Sequence, residues 1–266
     1  MEDGVYLVKM RYLFPSFGYN TASNTLPSSP LRPHKMILSI ETTEKYGSVA
    51  LVDGEHCLRE IRLTERSAKS LAPALSRLLS EEHCQADRID AVAVVVGPGS
   101  FTGLRIGVAT AKAFAYALGT KIIAVNTMAT VAADFRGAGN SVGFLSIGVD
   151  AQRGEVAAQT FELSPQGVQP LSKCRLIPAD EWWAEKDQYP AITFSGPALE
   201  RFGSLAPDGV TLADKSFWMP RASVAGCLAA ARLAAGETDD LWSLVPIYSR
   251  PSAAEERQNK ECRSTG

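Results

Sequence analysis

The sequence predicts an α/β protein built as two similar β-rich halves. Three observations carry that expectation. Apolar runs of strand length recur along residues 36–195. The run Ile89–Val96 is nearly unbroken Val, Ile and Ala, as a central strand covered on both faces requires. A strand–turn–strand opening occurs at 36–53 and again, loosely, at 142–163. The 266 residues give ample chain for one large core or two modest ones.

Taken in order, 36–41 and 47–53 are short apolar runs around Thr42–Tyr46, with Asp53-Gly54 next, which reads as a hairpin and its following turn. Cys57–Leu63 supplies a third strand. Leu71, Leu75 and Leu78 recur at spacings of four and three within 67–79 and describe one buried helical stripe. Pro73 inside it fits only the first turn or a kink. Val108–Leu118 continues as a helix, and Lys121–Val125 completes a βαβ-like unit. Further on, Val142–Val149 and Glu155–Leu163 flank the Arg153-Gly154 turn, Ala191–Ser195 is a short strand, and Ala222–Ala235 is an alanine-rich helix. The expected division is 36–137 for the first half and 138–250 for the second. Residues 1–35, rich in Ser, Pro, Asn and Thr over 14–33, read as a disordered extension or an over-long start with Met36 the natural first residue. Residues 251–266 read as a frayed, charged tail.

The stretch Gly97-Pro98-Gly99-Ser100-Phe101-Thr102-Gly103-Leu104-Arg105-Ile106-Gly107 is the most specific in the chain. Glycines at 97, 99 and 103 admit backbone angles that a Cβ forbids and let a phosphate or another backbone approach closely. Ser100 and Thr102 add hydroxyls at the helix start. Such a loop binds an anion, caps a helix or docks a partner. It is not a Walker A loop, because no Lys-Ser or Lys-Thr follows, and its spacing misses the dinucleotide fingerprint by one residue. Nor is it a nucleophile elbow, since Pro98 stands where a glycine is needed.

The whole string resembles the signature of the TsaB (YeaZ) family, and three other segments agree in order. These are Met36–Thr43 with Gly47–Leu51, Asp150-Ala151-Gln152-Arg153-Gly154-Glu155-Val156, and Pro246-Ile247-Tyr248-Ser249-Arg250. The resemblance covers roughly residues 36 to 254 and implies the actin-like ATPase (ASKHA) fold. It implies a non-catalytic pairing subunit that activates a TsaD-like enzyme, which threonylcarbamoylates N6 of adenosine 37 in tRNA. The implied partners are that TsaD-like subunit, a TsaE-like ATPase, a second copy of the chain, and tRNA only through the complex.

In the actin-like fold nucleotide lies between the halves. The candidate phosphate-binding residues are therefore Glu41, Thr42, Gly97, Gly99, Ser100, Thr102, Gly103 and Asp150. Glu41 stands where that superfamily usually carries Asp, and Asp150 reads more readily as a turn residue accepting backbone hydrogen bonds beside Gly154 than as a magnesium carboxylate. The three histidines, 34, 56 and 83, include no pair four apart, so no metal ligand and no catalytic residue is assigned. The chain alone is expected to need no cofactor, with ATP, ADP and Mg²⁺ belonging to the complex.

Gly103, Gly107, Ala111 and Ala115 fall every four residues and make a ridge with little bulk. Packing on the chain's own sheet is one use for it. The resemblance implies the other, a partner interface made by Gly107, Ala111 and Ala115 with Arg105 and Lys112 at its margins and Leu71 and Leu75 beside them.

Composition excludes several classes. A formal net charge of −2 argues against a broad electrostatic grip on RNA. Five scattered cysteines without a Cys-x-x-Cys pair fit reduced thiols in the cytoplasm, and the apolar run 106–118, broken by Lys112, is too short to span a membrane. The alternative reading is an ATP-dependent small-molecule kinase built on Glu41, Asp150 and the 97–103 loop. A peptidase has no residue constellation behind it.

Overall fold

The computed structural model describes residues 35–65, 67–140 and 143–250. The expectations for 1–34 and 251–266 fall outside them. The first half is a five-stranded sheet of β1 (Met36–Glu41), β2 (Ser48–Asp53), β3 (His56–Arg62), β4 (Ala91–Gly97) and β5 (Lys121–Asn126), in the order β3-β2-β1-β4-β5. β1 and β2 form the expected hairpin, in register from Met36 opposite Asp53 to Glu41 opposite Ser48. β4 lies parallel between β1 and β5, and all seven of its residues are buried. Helices cover both faces, which is why its sequence shows no alternation.

One face is covered by α1 (Ser67–Glu81) and α2 (Phe101–Leu118). Leu71, Leu75 and Leu78 of α1 enter that core, while Pro73 sits on the exposed side of the helix. α2 starts where the Ser100 hydroxyl accepts the Gly103 N–H at 3.3 Å. It stops at Gly119, whose φ of 62° belongs to the left-handed region that glycine enters without cost. α3 (Thr127–Gly137) begins at Asn126, whose side chain accepts the Met128 and Ala129 N–H groups. Residues 127–136 are buried without interruption, because this helix packs against strands of both halves.

The second sheet repeats the first. β6 (Gly143–Asp150) pairs antiparallel with β7 (Glu155–Ser164), and β7 with β8 (Gly167–Pro170) and β9 (Arg175–Pro178). α4 (Ala179–Trp183), β10 (Thr193–Ser195), α5 (Leu199–Phe202) and β11 (Thr211–Leu212) follow, with β10 parallel to both β6 and β11. The order β8-β7-β6-β10-β11 matches β3-β2-β1-β4-β5 strand for strand, with the same directions. The two halves therefore share one topology, as the actin-like reading requires. Trp182, fully buried under this sheet, donates to the Ser146 hydroxyl at 2.7 Å. It fits because Gly148 lacks a Cβ, which would lie 2.6 Å from the indole ring.

One expectation is corrected. The chain beyond Ala222 does not belong with the second half. α6 (Ala222–Ala234) returns to the first sheet and covers the face made by Ile37, Ala50, Val52, Ala91, Ala93 and Val95. Its alanines let it lie close to the strands, with Gly226 against Val52 and the Ala222 N–H donating to Ser48 Oγ at 2.9 Å. Among the described residues no helix is long and apolar enough to cross a membrane.

Candidate functional site

The glycine loop is closed by the chain itself. Beyond β1, Thr42 and Thr43 cross directly over it and are fully buried. The Ser100 N–H donates to the Thr43 carbonyl at 2.6 Å, and Thr42 Oγ1 donates to the Gly103 carbonyl at 2.8 Å. A Cβ at Gly99 would stand 2.6 Å from Thr43, and at Gly103 or Gly107 it would run still further into Thr42. The glycines at 99, 103 and 107 thus form a trough for Thr42 and Thr43. Gly97, at φ 121°, is pressed against the Ile247 carbonyl on another side. On the side where their Cβ atoms would stand, Gly99, Gly103 and Gly107 are occupied by the chain's own Thr42 and Thr43, and Gly97 by Ile247. Thr42 is a packing residue in the trough. Ser100 and Thr102 remain exposed, Ser100 as the helix cap.

Glu41 is also turned inward. Its Oε1 accepts the Thr43 N–H at 2.5 Å and the Thr43 hydroxyl at 2.6 Å, and Oε2 is buried without a partner. Burial pushes its carboxyl up to about 7. Glu44, three residues on, is pushed up to about 8 by burial and then by the charge of Glu41. Asp150 accepts the Gln152 N–H at 2.8 Å and pairs with Arg201 at 3.3 Å, the arrangement of a turn residue. No three His, Cys, Asp or Glu side chains among the described residues are grouped to hold a metal ion.

A cavity of about 490 Å³ does open between the halves. Glu44, Arg62 and Ser48 line it from the first half, Glu200 from α5 of the second half, and Lys215 and Arg221 from the chain between β11 and α6. Neither the glycine loop nor Asp150 lines it.

The expected interface also changes. Ala111 and Ala115 are 0% and 1% exposed, Leu71 and Leu75 3% and 1%, and Gly107 faces Thr42. This ridge packs inside the chain, the internal use its spacing equally allowed. Arg105 and Lys112 lie outside it. Arg105 Nε donates to the Tyr248 hydroxyl at 3.1 Å, and Lys112 Nζ to the carbonyls of Trp242 and Leu244 at 3.0 and 3.1 Å. Both hold the irregular segment 242–248 across α2.

A second small-residue stripe on α2 faces outward. Ala109, Ala113 and Ala117 are exposed at the same four-residue spacing. Phe101 and Tyr248 stand at one end, their rings 4.8 Å apart, with the Arg105 guanidinium 3.9 Å above Phe101. Tyr116 and Trp242 meet edge to face at the other end and are 67% and 73% exposed. Val245 and Ile247 are exposed between them in the chain. Exposed apolar side chains gathered along one helix mark an interaction face. The available signal was the run of alanines at 109, 113 and 117, which periodicity alone could not orient.

Comparison with known proteins agrees with this architecture. The TsaD family, tRNA N6-adenosine threonylcarbamoyltransferase, matches over residues 62–193. The tRNA threonylcarbamoyladenosine biosynthesis protein TsaB of Bacillus subtilis is 30% identical over 230 residues, spanning 82% of this chain and 96% of that protein. Its Escherichia coli counterpart is 27% identical, with the same coverage. The solved structure of YeaZ from Pseudomonas aeruginosa superposes with a TM-score of 0.67 at 23% identity, over 80% of this chain and 99% of that one. With this identity and coverage, on a shared fold, the chain belongs to the TsaB family.

Proposed function

We propose that this chain is a non-catalytic pairing subunit in the biosynthesis of threonylcarbamoyladenosine in tRNA. It acts by docking a TsaD-type transferase on the outer face of α2. The observation that carries the reading is that face: three exposed alanines at four-residue spacing between two exposed aromatic pairs. Small side chains let a partner helix approach closely, and aromatic side chains at both ends supply apolar area and fix the register. A helix of a second copy fits the same face, so homodimer and heterodimer compete for it. Docking favours the partner's competent state by differential binding. A TsaE-type ATPase and tRNA join through the complex, which holds any nucleotide.

The filled glycine trough supports a chain that does not hydrolyse ATP on its own. The test is binding of a TsaD-type protein from the same organism to the wild type and to Ala113→Leu. The wild type should form a one-to-one complex, and the leucine, exposed in the free chain, should weaken it at least about tenfold without lowering stability. Equal binding by both would refute the assigned face.

A further inference from the structure

The last described residues bridge the two halves. Leu244 is buried in the first core, and the Ile247 N–H donates to the Val96 carbonyl at 2.7 Å. At Tyr248 the segment meets the outer face of α2, through the Phe101 ring and the Arg105 guanidinium. Two residues on, Arg250 engages the other half. Its Nε donates to the Ala151 carbonyl at 2.8 Å, its Nη2 to the Gln152 carbonyl at 3.3 Å, and the guanidinium pairs with Glu155.

The turn that Arg250 grips is strained. Gln152 and Arg153 are exposed and have φ of 66° and 56°, a left-handed pair without a glycine. The Ala151 N–H donates to the Glu155 carbonyl at 3.0 Å, and the Glu155 N–H to the Gln152 carbonyl at 3.1 Å. Asp150, itself paired with Arg201, holds the Gln152 N–H. Strained backbone persists where its surroundings over-determine it, and it clusters at functional elements. Of the groups just named that grip the turn, only Arg250 reaches it from the segment that runs across the first half.

We propose that Tyr248–Arg250 is a clasp through which the outer face of α2 sets the conformation of the 150–155 turn in the other half. What engages α2 rests on the pairing reading above, but the coupling is a property of the chain alone. A partner covering Phe101 and Tyr248 fixes or shifts the segment, and Arg250 carries that shift to the carbonyls of Ala151 and Gln152. The turn has two arrangements, gripped and relaxed, and contacts on α2 bias them.

Amide hydrogen exchange on the full chain tests this, comparing wild type with Arg250→Gln, Arg250→Lys, Tyr248→Phe and Phe101→Ala. Exchange at Ala151 and Glu155 should quicken about tenfold in Arg250→Gln and less in Arg250→Lys. It should also quicken in Phe101→Ala and Tyr248→Phe, with the amides of β1 and β4 unchanged in every variant. Unchanged exchange at the turn in Arg250→Gln overturns the clasp. Unchanged exchange in both Phe101→Ala and Tyr248→Phe overturns the coupling, and those two variants decide the matter if Arg250→Gln loosens the core. Failure of a TsaD-type protein to bind the wild type would refute the pairing reading and leave these outcomes standing.

Discussion

Glu41 is a carboxyl whose protonation is tied to folding. Burial raises it from 4.5 to about 7, so the folded chain keeps a proton that the unfolded chain releases. Stability from this source is present in full below about 4.5 and is lost as pH rises through 7. The loss amounts to roughly 3 kcal/mol at 1.4 kcal/mol per pKa unit. Glu44, raised to about 8, adds to the same slope. Urea unfolding at pH 5.5 and 8.5 should show the wild type markedly weaker at the higher value. Glu41→Gln, which mimics the protonated form, should be less sensitive, though Glu44 keeps part of the slope. The trough glycines give a second residue-scale test. Gly103→Ala places a methyl against the fully buried Thr42 backbone and should cost about 3 kcal/mol or more in urea unfolding, at or above the usual range for overpacking.

At the scale of elements, α2 explains which parts of the sequence were legible. Helix spacing, the Ser100 cap and the Gly119 stop are written locally, so the helix could be placed from residues alone. Two stripes of small residues share its four-residue period, and nothing local says which one the sheet buries. The fold decides: 107, 111 and 115 face inward, and 109, 113 and 117 outward. Ala111→Leu should therefore unfold or severely destabilise the chain, by about 1–3 kcal/mol or more. Ala109→Leu should leave the unfolding midpoint nearly unchanged and act on pairing. The glycine loop was ambiguous for a related reason. A trough for a crossing strand and a cradle for a phosphate need the same absent Cβ atoms, and only the position of Thr42–Thr43 separates them. The β6–β7 turn could be placed from Arg153-Gly154, but its grip by Arg250 joins residues about a hundred apart in sequence and no local pattern announces it.

At the scale of the molecule, the duplicated strand order was expected from resemblance and is visible only once both sheets are formed, because the two halves share no close sequence repeat. The return of α6 to the first sheet is a long-range packing choice that chain order conceals. It leaves α2 as the helix whose outer face carries exposed aromatics at both ends. Removing both side chains at one end, as Tyr116→Ala with Trp242→Ala, should barely change stability and should weaken pairing by about tenfold or more. The measurement that tests the central claim most directly is light scattering after size exclusion. Wild type, Ala113→Leu and this double variant would each be mixed with the TsaD-type protein of the same organism. The account predicts a one-to-one complex for the wild type that is lost or strongly weakened in both variants, with all three chains folded. No wild-type complex, or a complex indifferent to both variants, would contradict it.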